Sequence, residues 1–225
     1  MNECVFFLVL LRLQGRAHCP KLLASGSEGK INFFVMQILS VNLTDLRKMA
    51  PQRKLTLSTV SRIAIQAVGA LFDLHNIGYV HRDNRHVFYL LDFGLVRRFL
   101  REDGSLRQER TKAGFRGTFR YVSISLFYSC LEMIEGILPW RHVSTADQMR
   151  TLKAKQEKEK FEPLSRSIGE SFVKWAMEIS FIPPWTPIDY VKLQAILMDS
   201  TGGLQLNDPY DWDCIFNSNV IPSVK

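Results

Sequence analysis

Apolar side chains recur three and four residues apart along most of this chain and gather into short runs only near its start. That pattern predicts a helix-rich protein with a small β element. Residues 1–15 read as a helix, with Val5, Leu8, Val9 and Leu13 on one side. Residues 21–25 and Ile31–Met36 are short strand candidates, and Gly26 to Gly29 between them supplies the turn of a hairpin. Residues 56–76 give the clearest helix, with Ser58 as its cap and Val60, Ile63, Ala64, Ala67, Val68, Leu71 and Leu74 at helical spacing. Gly78 can end it. The apolar run 87–91 reads as a short buried strand, and the glycine-punctuated stretch 97–123 as a long surface loop. Four further helices are expected over 126–137, 145–162, 168–179 and 189–198, with Pro183, Pro184 and Pro187 breaking the chain between the last two. The charges of the third quarter, Lys153 among them, read as a solvated helix face. Trp212 anchors a turn-rich tail.

Composition narrows the class. Of the 225 residues 46% are apolar, enough for a folded core. The four cysteines (Cys4, Cys19, Cys130, Cys214) lack metal-ligand or disulfide-framework spacing and suit a reducing, cytoplasmic or nuclear compartment. The run from Val5 to Leu11 lacks the basic lead and the cleavage site of a signal peptide, and no run approaches the length of a membrane span. The net charge of +7 is concentrated between Arg97 and Arg120, where eight basic residues face three acidic ones. This is either a solvated basic loop or a surface for acidic or phosphorylated partners. Interleaved aromatics are missing, which argues against nucleic acid. No oligomerisation signal is visible, so a monomer is expected.

The candidate chemistry lies in residues 79–94, YVHRDNRHVFYLLDFG, which hold His81-Arg82-Asp83 and Asp92-Phe93-Gly94. With LLRLQG, FFVMQIL, NLTDLR, the long helix, LLDFGLVRRF, GFRGTFRYVSIS and EGILPW in one order, the chain resembles protein kinases of the casein kinase I group, and within it the tau-tubulin kinase-like branch. The likeness extends to about residues 210–212. It implies an α+β, protein-kinase-like fold: mainly the α-helical C-lobe over 40–225, with a remnant of the β N-lobe (one helix, a hairpin and the hinge) over 1–39.

The resemblance also implies ATP-dependent phosphorylation of protein serine or threonine, with Mg2+. Asp83 resembles the catalytic base and Asp92 the magnesium ligand. Met36 resembles the residue at the back of the adenine pocket, and Gln37 to Leu39 the hinge. Arg120, with Arg116 beside it, resembles the group's anion site for acidic or phosphorylated segments. Three departures stand against activity. No glycine-rich loop or ATP-anchoring lysine is found. Arg85 stands two after Asp83 where a lysine is expected, and Phe88 stands where the second metal ligand, an asparagine, belongs; only Asn84 is near. The sequence then passes from Ser125 straight to Leu126 without the segment that holds the catalytic loop from below. The losses fall at the edges of well-matched segments, as if blocks had been removed. Little or no phosphoryl transfer is expected, with an inactive, pseudokinase-type binding module as the alternative.

Overall fold

A computed structural model describes residues 2–81, 89, 90, 93, 96–107, 125–143, 145–162, 165–183 and 186–214. The first helix, α1 (Asn2–Arg12), buries Val9, Leu10 and, just beyond its end, Leu13, with Phe6 half-buried. Val5 and Leu8, expected on the packed side, are 38% and 37% exposed. The helix is rotated because two neighbours claim it. Ala70 and Leu74 join Val9, Leu10 and Leu13 in one cluster, and Phe6 reaches the hairpin.

The hairpin pairs β1 (Leu22–Glu28) with β2 (Ile31–Met36) in antiparallel register, Leu22 opposite Met36 and Glu28 opposite Ile31. Its turn is therefore the two residues Gly29 and Lys30, with Gly29 at φ +60°, and not the wider stretch from Gly26. Gly26 lies inside the strand for a packing reason. A Cβ there would come within 2.9 Å of the Phe33 ring opposite.

A short helix not expected from periodicity, α2 (Leu43–Met49), follows. Seven residues are too few for a repeating pattern, but its start is chemically marked. Asn42 Oδ1 accepts the Asp45 N–H at 3.0 Å, and Leu43 and Leu46 are buried.

The central element is α3 (Leu57–Asn76). Its cap is Thr56, whose Oγ1 accepts the Thr59 N–H at 3.2 Å. Ser58, the expected cap, lies one residue inside the helix and donates its hydroxyl to the Thr201 carbonyl. Gly78 takes φ +83° just past the end, where a Cβ would also press on Leu100 at 3.1 Å. By length and hydropathy α3 could cross a membrane, against the expectation that no run approaches a span. Most of it is buried inside the protein, against α4 (Ser125–Glu135) and α8 (Tyr190–Met198).

Between these lie α5 (Ala146–Lys158), the single turn α6 (Ser165–Ile168) and α7 (Glu170–Ser180). Phe127, Trp140, Phe161, Phe172 and Trp175 fill the main core. Two-residue strands β3 (Tyr79–Val80) and β4 (Arg97–Arg98) form a second antiparallel ribbon. Of the expected strand over 87–91, the described residues Tyr89 and Leu90 form a turn. The fold is thus α+β: a helical body with two small antiparallel sheets, as the resemblance implies.

Lys153 overturns the reading of α5 as a purely solvated run. It is 6% exposed, with Nζ 4.7 Å from the Tyr128 ring centre and 5.6 Å from that of Trp140. The two rings meet edge to face at 4.8 Å and make a corner for the ammonium. Burial pulls its pKa from 10.5 down to about 8, and the nearby Glu157 carboxylate resists that shift. Between about pH 8 and 10.5 the unfolded chain keeps a proton that the folded chain has released, so this group makes stability rise with pH there. Lys153→Met removes that slope. Chemical denaturation at pH 7 and pH 9.5 should show wild type gaining on the order of 1 kcal/mol relative to the variant. An unchanged difference would place the ammonium in water.

Candidate functional site

The ribbon of β3 and β4 brings His81 and Phe93, the described residues of the two motifs, close together. Tyr79 pairs with Arg98 and Val80 with Arg97, so the chain leaves the ribbon at His81 and returns to it just after Val96. The sequence between these two points has one motif near each end. The Phe99 N–H donates to the Gly78 carbonyl at 2.8 Å and extends the clamp by one bond. The Leu90 N–H donates to the His18 carbonyl at 2.9 Å and ties that residue to the loop after α1.

His81 is 3% exposed and Phe93 fully buried, with ring centres 5.9 Å apart, edge to face. Phe93 meets Phe6 of α1 at 5.5 Å, again edge to face, and Phe6 stacks on Phe34 of β2 at 5.4 Å. Four rings, His81, Phe93, Phe6 and Phe34, form a column from the helical body through α1 to the hairpin. Edge-to-face and offset contacts of this kind hold rings in fixed orientation beyond their area burial. Phe6 and Phe34 were not singled out in the sequence. Their signal was an aromatic on the α1 face that meets the hairpin, legible only once the helix rotation is known.

Behind the column His75 of α3 bonds the Tyr190 hydroxyl through Nδ1 and lies edge to face with Phe99 at 6.2 Å. Burial, then the charge of nearby His81, hold its pKa down to about 4, so it is neutral at physiological pH. Burial pushes Tyr190 up to about 12. This contact joins α3 to α8 directly beneath the ribbon.

Met36, Gln37 and Leu39 sit where β2 runs out into an extended segment. Each is half-buried, whereas Ile38 between them is 94% exposed. Gln37 is anchored to the hairpin at both ends: its N–H donates to the Lys21 carbonyl at 2.8 Å, and its Oε1 accepts the Lys21 N–H at 3.3 Å. The arrangement suits a backbone edge for a planar base, with Met36 and Leu39 as its half-buried apolar flanks. Asp83, Arg85, Asp92, Arg116 and Arg120 lie outside the described residues. Among those described, no group of three metal-ligating side chains gathers.

The described part of the basic segment is a tight turn. Leu100 bridges Leu106, and the Arg101 N–H donates to the Ser105 carbonyl at 2.8 Å. Asp103 caps the turn by accepting from the Ser105 N–H and hydroxyl, which also holds its carboxyl below the usual range. Arg97, Arg98, Arg101 and Arg107 thus crowd one ribbon and its turn. Arg98 reaches Glu102 at 3.5 Å, but that carboxylate is 92% exposed and offsets little.

No family model matches the chain. It is similar to a Caenorhabditis elegans protein named for casein kinase I, 37% identical, over 91% of this chain and 69% of that protein. A Dictyostelium discoideum protein named as a serine/threonine-protein kinase is 31% identical, over 94% of this chain and 48% of its own length. The Caenorhabditis elegans serine/threonine-protein kinase spe-6 is 29% identical, over 91% and 63%. The chain thus spans from about half to just over two thirds of these relatives' lengths. The first match runs over 234 positions, more than the 225 residues present here, so that relative carries residues inside the matched span that this chain lacks.

Proposed function

We propose that this chain, which belongs to the protein kinase superfamily and is similar there to casein kinase I, is a serine/threonine-kinase-type protein with little phosphoryl transfer of its own. The aromatic column carries the reading. It supports an assembled meeting point of the His81 and Phe93 motifs with α1 and the hairpin, which a chain that had drifted from this architecture would not keep. ATP with Mg2+, when bound, would supply the phosphoryl group. The described residues fit its adenine end, at Met36 and the backbone of residues 37–39, while Asp92 would carry the metal. Asp83 would accept the proton of a substrate hydroxyl.

Impairment is inferred from inside the motif region. Asp83 and Asp92 stand nine residues apart, and Phe88 replaces the second metal ligand. Phosphoryl transfer is mostly positioning and charge neutralisation, so a shortened connection costs most of the rate. The tau-tubulin kinase-like branch is the nearest fit within the group by the order of matched segments. A cytoplasmic or nuclear monomer with a C-lobe from residue 40 onward completes the proposal.

A second reading, a binding module for acidic or phosphorylated segments, is favoured by the four arginines crowded at the ribbon and its turn. One experiment separates the two. Radiolabelled phosphate transfer from ATP to casein should be near background and the same in Asp83→Asn. A phosphopeptide should still bind, and lose affinity in the double variant Arg116→Glu, Arg120→Glu. Transfer that Asp83→Asn abolishes would overturn the impaired reading.

A further inference from the structure

Far along the chain from the carboxylate motifs, α7, the loop after it and the start of α8 enclose a cleft of about 730 Å3. Its floor is apolar: Val173 and Leu193 are buried, with Met177 packed against the same core. Its wall is Phe181, 63% exposed, next to Pro183 and Pro187. A phenyl ring held in water beside a recess of this size is an uncompensated apolar surface.

The charge around that floor is opposite to the rest of the molecule. Among the described lining residues, Glu162, Glu170, Glu178 and Asp189 outnumber Lys174 and Lys192. Lys192 is already ion-paired with Glu178. Asp189 caps α8 by accepting the Lys192 N–H at 2.9 Å and is exposed at the mouth. The rim is therefore acidic on a chain of net +7. Nucleotides, phosphorylated segments and anionic lipid surfaces are repelled from such a rim. A cation with an apolar body is attracted.

We propose that this cleft docks a basic protein segment, one in which a bulky apolar residue is flanked by Lys or Arg. The apolar residue enters between Met177 and Phe181, and the flanking cations meet Glu170 and Asp189. The floor of the cleft is carried by α7 and α8, which pack on each other, with α8 also packed on α3, so the floor asks little reorganisation of a partner. The proposal goes beyond the kinase reading. It needs no nucleotide, and the charge it selects is opposite to that favoured by Arg116 and Arg120.

The test uses the full chain and a short fluorescein-labelled peptide alternating Lys or Arg with Leu and Phe. Anisotropy should show saturable binding. Phe181→Ala and Glu170→Lys, both at positions whose change leaves the core intact, should each weaken it about tenfold. Added salt should weaken it further, and an analogue with Glu for the basic residues should not bind. Absence of saturable binding, or wild-type affinity in both variants, overturns the proposal. So does self-association that Phe181→Ala removes in sedimentation without any peptide binding, because the face would then belong to a second copy of the chain.

Discussion

Phe93→Ala should cost about 3–5 kcal/mol, a large part of the stability of a domain this size. Phe93 is fully buried between Phe6 and His81, and its ring links the first helix to the His81 end of the motif region. Removing it leaves a cavity that cannot collapse easily, because the ribbon of β3 and β4 fixes one side and the cluster of Val9, Leu10 and Leu74 the other. Phe93→Leu keeps most of the volume and should lose under about 1.5 kcal/mol. Urea denaturation of the three proteins gives the comparison. The hairpin should respond too. In Phe93→Ala, amide exchange of β2 should quicken more than that of α8, since Phe34 reaches the body through Phe6. A loss below about 1 kcal/mol, or equal changes in both elements, would mean that the column is a passive stack.

How much of this was legible beforehand depends on the length of each pattern. The twenty residues of α3 repeat their apolar spacing often enough to be read directly, and so do the motifs whose residues are adjacent in sequence. The rotation of α1 was not readable, because its residues are apolar on almost every side and the hairpin, not periodicity, selects Phe6. α2 was too short to show a period. Lys153 was misread because neighbouring lysines and glutamates are solvated and nothing local marks the one that turns inward. Its burial is decided by Tyr128 and Trp140, thirteen and more residues away. At the site, residues 36–39 could be placed because they end a strand. The meeting of His81 with Phe93 depended on a two-residue ribbon that no propensity would have proposed.

Arg62 makes the other large prediction. It is 1% exposed in the middle of the first half of α3, and it donates to backbone carbonyls. Nη1 reaches Gln205 at 3.3 Å and Asp208 at 2.6 Å, Nη2 reaches Pro209 at 2.8 Å, and Nε reaches Ser58 at 3.4 Å. The guanidinium also lies over the Tyr210 ring at 4.1 Å, and Tyr210 stacks flat on Trp212 at 4.8 Å. One side chain thus collects three tail carbonyls and an aromatic pair, while Asp211 bonds the Thr56 N–H and hydroxyl at the helix start. Exchanging a buried ion pair for apolar residues is often neutral, since both charges leave together. Here only the donor leaves, and the carbonyls of residues 205, 208 and 209 must find water. Arg62→Leu should therefore cost roughly 3–5 kcal/mol. Arg62→Lys should recover little, because an ammonium cannot span three acceptors and a ring face at once. Part of the loss should appear locally: amides of residues 205–213 should exchange faster and the tail should be cut first in limited proteolysis, before α3 unfolds. A variant within about 1 kcal/mol of wild type, with the tail still protected, would show that Asp211 and Trp212 hold the tail without the arginine.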